Sequence, residues 1–253
     1  MSALEPHGAS AAVSSDAAGY LTAPSLYAIA DGDVLDLAGR GPQRVIDAVA
    51  AMADAGIGWI QLRLKHADDR TRYQIAAACR RRLEGMQTAL WIDDRADLAR
   101  LVDAQGVHLG QHDLSPAAAR IVVGEQTWIG LSCHDLAQVA AADADPNVDV
   151  VAIGPVFTTQ SKQNADPVIG IAGVAAARRV TEKTLVAIGG LDEDNAGGVL
   201  EAGADTVVML GAFCRGDVAA NSRRLVRAFA GEVSRVTQAS RVAGKNRRME
   251  VAG

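Results

Sequence analysis

The feature that most narrows what this chain can fold into is an alternation repeated along most of its length. Short apolar runs take turns with longer stretches at helical spacing. The runs are Ser25–Ala30, Gly58–Leu64, Ala89–Ile92, Gly106–Leu109, Trp128–Ser132, Val148–Ile153, Leu185–Ile188 and Thr206–Leu210. Short apolar segments bounded by polar turns read as buried strands. Between them lie helical patterns over Gln43–Ala55, Arg70–Glu84, a stretch ending at Val102, one opened by Ser115-Pro116, and then Asp135–Ala144, Ile171–Val180, Glu193–Ala202 and Val218–Val233. Ser before Pro is a strong helix start, with a capping hydroxyl and a preset first turn. Regular alternation predicts a parallel sheet covered by helices, and eight units predict an α/β fold closed into a single (β/α)8 TIM barrel. A doubly wound open sheet is the alternative. The missing GxGxxG after the first strand argues against its dinucleotide-binding version.

Composition enters as a check on that reading. A chain of 253 residues has room for one such barrel, and 49% apolar residues supply a large core. Aromatics are only 4%, which predicts a core built of Ala, Val, Leu and Ile. Residues 1–23, rich in Ala, Ser and Gly, read as a flexible extension, residues 24–235 as the catalytic barrel, and the basic stretch 236–253 as a flexible tail. A net charge of −5 argues against a general nucleic-acid or anionic-membrane surface. The three cysteines, Cys79, Cys133 and Cys214, show no ligand or disulfide spacing. An odd, scattered set fits reduced thiols in a cytoplasmic protein. No apolar run is long enough for a membrane span, and no secretion signal is visible. The sequence leaves a homo-oligomer open.

In a barrel of this kind the chemistry sits at the carboxyl ends of the strands. Two apolar runs end in acid there, at Asp93-Asp94 and, just past the second, at Asp113. Carboxylates facing one another across a pocket suit Mg²⁺ held jointly with substrate phosphates. A helix cap is the alternative use of a single Asp. On the second strand Gln61, Arg63 and Lys65 alternate with Ile60, Leu62 and Leu64, so the three polar side chains share one face. Burying two unpaired cations under helices is costly, so that face is expected at the mouth, where it attracts a polyanion. The loop after the sixth strand carries Thr159, Ser161 and Lys162, groups able to hold phosphate oxygens. Ile188-Gly189-Gly190 and the Leu210-Gly211 turn close the last two strands, where barrels usually bind phosphate. His108 and Ser132 end the fourth and fifth strands and stand equally well as satisfied core groups or ligand contacts. Cys133 has only a weak claim as a nucleophile.

Taken together these pieces resemble the thiamine phosphate synthase and thiazole tautomerase family. The match runs through Leu26-Tyr27, Gln61-x-Arg63-x-Lys65, Asp94-Arg95-x-Asp97, Gly106-Val107-His108-Leu109-Gly110 with Asp113, Gly130-x-Ser132, Gly154-Pro155-x-Phe157 with Thr159-x-Ser161-Lys162, and Ala187-Ile188-Gly189-Gly190. Each is weak alone; their order and spacing are specific. The resemblance implies a transferase that joins hydroxymethylpyrimidine diphosphate to thiazole phosphate, giving thiamine monophosphate and pyrophosphate. It implies Mg²⁺ on Asp94 and Asp113, and catalytic roles for Arg63, Lys65, Lys162 and Ser132. It implies a pyrimidine pocket lined by Tyr27, Gln61, His108 and Ser132, a substrate contact from Asp93, and thiazole phosphate contacts from Thr159, Ser161, Gly190, Leu210 and Gly211. Three departures stand out. Asp93 replaces the family's usual Asn, adding negative charge beside a substrate diphosphate. Gly211 replaces a usual Ser, removing a hydroxyl donor. Residues 164–169 fit the family pattern poorly. A thiazole tautomerase and a non-catalytic binder of thiamine-pathway ligands are the competing readings. The first needs no diphosphate site and is separated by proton exchange on the thiazole; the second is separated by binding without turnover.

Overall fold

The computed structural model describes residues 23–159 and 167–229. Ser161, Lys162 and residues 236–253 lie outside them, as does all but the last residue of the expected N-terminal extension. Eight strands pair in parallel and in chain order, and the eighth closes onto the first. They are β1 (Leu26–Asp31), β2 (Trp59–Arg63), β3 (Ala89–Asp93), β4 (Gly106–Leu109), β5 (Trp128–Cys133), β6 (Val150–Ile153), β7 (Thr184–Ile188) and β8 (Thr206–Met209). Around them run α1 (Leu37–Arg40), α2 (Pro42–Asp54), α3 (Asp69–Arg82), α4 (Ala96–Leu101), α5 (Pro116–Val123), α6 (Leu136–Ala144), α7 (Gly170–Arg178), α8 (Ala196–Glu201) and α9 (Gly211–Cys214). A last helix, α10, covers 218–229. The barrel is thus the α/β fold expected from the alternation. The short α1 and α9 are additions to it. Among the described residues no helix is long and apolar enough to cross a membrane.

Local chemistry sets the helix starts. The Ser115 hydroxyl accepts from Ala118 N at 3.3 Å with Pro116 in the first turn. Asp135 caps α6 through Gln138 N at 2.8 Å, and Asp68 caps α3 through both the N–H and the hydroxyl of Thr71 at 2.9 Å. Each satisfies a donor that the helix itself cannot.

Two cores share the sheet. The outer one, between strands and helices, is aliphatic, with Val49, Met52, Ile60, Ile75, Leu90 and Val107 closed to solvent. The inner one corrects the expectation of a purely aliphatic core. All three tryptophans of the chain point into the barrel lumen with Tyr27. Trp59 lies 5.5 Å from Tyr27, 4.9 Å from Trp91 and 5.3 Å from Trp128, ring centre to ring centre. These are favourable edge-on and tilted separations. The few aromatics are concentrated because a closed eight-stranded lumen needs large side chains to fill it. Gly106 completes the fit: a Cβ there would come within 2.3 Å of the Trp91 ring.

Candidate active site

Side chains two apart along a strand share a face. The lumen face of β1 therefore runs Tyr27, Ile29, Asp31; that of β2 runs Trp59, Gln61, Arg63; and that of β3 runs Ala89, Trp91, Asp93. Each series starts at the barrel floor and ends in a charge at the mouth. Pairing register sets Asp31 beside Arg63 and Asp93 beside His108.

These ends converge. Asp31 is buried, 2% exposed, and its Oδ2 is in close contact with Arg63 Nη1. Its Oδ1 accepts from the backbone N–H groups of Asp33 at 3.0 Å and Val34 at 2.9 Å. Lys65, two residues beyond β2, places Nζ in close contact with Asp94 Oδ2 and 3.1 Å from Asp93 Oδ2. Arg63 Nε lies 3.7 Å from that same Asp93 oxygen. Among the described residues this buried oxygen has charged neighbours but no hydrogen bond of proper direction. Arg72 of α3 donates to the carbonyls of Leu64 at 2.9 Å and Lys65 at 2.7 Å, pinning the backbone that carries the lysine. Asp94 has φ of 60°, a left-handed turn at the strand end. The turn lets two consecutive carboxylates, Asp93 and Asp94, reach one ammonium. Asp113, on the loop after β4, accepts from Gly110 N at 2.7 Å and stands against the Asp94 carboxyl.

The electrostatics follow from this crowding. Burial, and then the Asp94 charge, push Asp93 up to about 6 despite the cations beside it. Burial and the Asp94 charge also raise Asp113 against the lowering effect of the Gly110 N–H. Burial alone would lower Lys65, but the two carboxylates outweigh it and raise it. Deeper in the lumen, burial holds His108 down at about 4, so the ring is neutral at pH 7. Its Nε2 is 2.8 Å from Ser132 Oγ, and Gly130 leaves room for the ring, since a Cβ there would lie 2.7 Å from Nδ1. Gln61 Nε2 donates to Tyr27 Oη at 3.3 Å, and burial raises the Tyr27 phenol well above its usual value. Cys133 is buried, and desolvation pushes its thiol up to about 12, which removes its weak claim as a nucleophile.

The other side of the mouth is built from turns. Gly190, with φ of 65°, packs under the loop after β6; a Cβ there would lie 2.6 Å from the Thr158 carbonyl oxygen. Phe157 N donates to Gly189 O at 2.9 Å, so that loop is bonded to the end of β7. Leu210 and Gly211 form the turn from β8 into α9, and Leu210 O accepts from Phe213 N and Cys214 N. Thr159 ends the described part of the β6 loop. Arg63, Lys65, Asp93, Asp94 and Asp113 thus gather at the mouth on the β2–β4 side, with Gln61, His108 and Ser132 deeper in the lumen and Tyr27 at its floor, while Gly190, Leu210 and Gly211 lie on the β7–β8 side. Reading the sequence missed Asp31. Its signal was available: Asp31 continues the period-two series from Tyr27, as Arg63 continues that from Trp59.

A closed parallel barrel whose strand ends gather two cations, four carboxylates and glycine turns defines a (β/α)8 protein with a charged mouth. The comparisons carry this to a family. The model described as thiamine monophosphate synthase matches residues 26–213. A thiamine-phosphate synthase of Koribacter versatilis is 41% identical over 194 residues, covering 75% of this chain and 89% of that protein. One of Chloroflexus aurantiacus is 34% identical over 204 residues, covering 81% and 91%. The solved thiamine phosphate pyrophosphorylase of Pyrococcus furiosus superposes with a TM-score of 0.72 at 28% identity, covering 84% of this chain and 97% of that one. The chain belongs to the thiamine monophosphate synthase family.

Proposed function

We propose that the mouth couples a hydroxymethylpyrimidine diphosphate to a thiazole phosphate, forming thiamine monophosphate and pyrophosphate. The observation that carries this is the single ion-pair cluster that Arg63 and Lys65, at and just past the end of β2, form with Asp93 and Asp94, at and just past the end of β3. A tautomerase needs no such cluster.

The difficult event is heterolysis. The bond between the pyrimidine methylene carbon and the diphosphate oxygen breaks, and its electron pair leaves with pyrophosphate. The thiazole nitrogen then supplies the pair for the new C–N bond. Groups that stabilise charge on the departing oxygens lower this barrier, and no general base is required. Arg63 and Lys65 perform that task, joined by Lys162 of the β6 loop. Gln61, Tyr27, His108 and Ser132 line the pyrimidine. The neutral His108 ring, hydrogen-bonded to Ser132, adds no positive charge beside the developing cation. Thr159, Ser161, Gly190 and the Leu210-Gly211 turn hold the thiazole phosphate.

Asp94 and Asp113 fit Mg²⁺. They offer hard oxygens in one place, the Asp113 carboxyl standing against that of Asp94. Bound there with phosphate and water oxygens, Mg²⁺ would neutralise the diphosphate as it leaves. The three buried cysteines suit a reducing compartment, the cytoplasm. The test is turnover of the purified chain with both substrates and Mg²⁺. Equal amounts of thiamine monophosphate and pyrophosphate are expected. Folded protein that yields neither would overturn the proposal.

A further inference from the structure

Each of the two cations at the mouth has more than one carboxylate partner. Arg63 is gripped by Asp31, which is itself fixed by two backbone N–H groups, and Lys65 is gripped by Asp94. Both are anchored without Asp93. Asp93 nevertheless presents one oxygen to both, 3.1 Å from Lys65 Nζ and 3.7 Å from Arg63 Nε. That oxygen is 11% exposed at the level of its side chain and has no directional hydrogen bond among the described residues. A carboxylate held by charge between two cations sits where an oxygen of a bound anion would.

We propose that Asp93 is a positioning residue that acts as an internal rival of the substrate's diphosphate, occupying Arg63 and Lys65 with its own charge until the anion displaces it. The inference rests on reading this mouth as a diphosphate site. Formal charge makes the same point. Asp31, Asp93, Asp94 and Asp113 face Arg63 and Lys65, so this part of the mouth is negative before any metal arrives. An asparagine at this position keeps the shape, removes the competing charge and gains N–H donors for phosphate oxygens.

The probe is inorganic pyrophosphate with Mg²⁺, titrated calorimetrically into the 253-residue protein and into Asp93→Asn. Loss of one opposing charge interaction is worth about tenfold in affinity. Asp93→Asn is expected to bind pyrophosphate about tenfold tighter. Its KM for the pyrimidine diphosphate should fall by more than its kcat changes, with KM for the thiazole phosphate unmoved. Asp93→Glu, which restores the charge, should return to weak binding. Asp93→Ser repeats the neutralisation with a different shape, should the amide variant not fold. Equal or weaker pyrophosphate binding by folded neutral variants would overturn the rivalry while leaving the synthase proposal intact. Folded protein and variants that all ignore pyrophosphate would overturn both.

Discussion

The same strands build two unlike ends of one lumen. At the floor, Tyr27, Trp59 and Trp91 fill space by ring contact and are nearly closed to solvent. Two to four residues further along, Asp31, Arg63 and Asp93 bring charge into a partly buried place. The floor is stable through dispersion and desolvated apolar area, which do not titrate with pH and are not screened as charges are. The mouth holds opposed charges whose desolvation is only partly offset by pairing, and Asp93 shows the residue of that cost in its raised pKa. Rigid packing at one end makes it feasible to keep strained electrostatics at the other, a division common where activity conflicts with stability.

Substitutions at either end sharpen the contrast. Trp91→Ala opens a cavity in the floor and should cost about 3–5 kcal/mol in stability, read by denaturant unfolding. Arg63→Ala should instead lower kcat/KM by about 10²- to 10³-fold, the range for losing one donor that stabilises a developing anion. A loss confined to stability would show that Arg63 only holds the mouth together. Asp93→Asn should stabilise. Its folded-state pKa of about 6 exceeds the unfolded value, so between pH 4 and 6 the folded state binds more protons than the unfolded one. Stability contributed by the protonated form is therefore lost as pH rises through 6. Replacing the carboxyl should raise stability by about 1–3 kcal/mol at pH 7.5 and by far less near pH 4, seen as melting temperatures that diverge between about pH 4 and 6 and stay apart by a constant margin above it. The smallest effect belongs far from both ends. Ser115→Ala removes a helix cap and should cost about 1 kcal/mol at every pH, with kcat/KM unchanged.

The barrel was legible because its signals are local and repeated. β4 spans Gly106–Leu109, the bounds its apolar run suggests, since a glycine and a polar turn punctuate it. α1 and α9 were not legible, because four residues are too short to display a helical period. The aromatic floor was hidden by averaging: nine aromatics spread over 253 residues predict nothing until closure of the sheet brings four of them together. At the mouth, period two in β2 put Gln61 and Arg63 on one face in advance. Asp31 was overlooked because Asp31-Gly32-Asp33 has the composition of a plain turn. Its pairing with Arg63 depends on strand register, which no single strand encodes.

The left-handed backbone at Asp94 restricts what can ever replace it. Residues with a long or branched side chain are disfavoured at φ of 60°, and Asn, Gly and Asp are the comfortable occupants. Of these, Gly offers no oxygen from a side chain and Asn no charge. A randomised library at this codon, selected for a charged oxygen at that position, would therefore collapse to a single solution, and an engineer wishing to move that carboxylate would have to redesign the turn itself first.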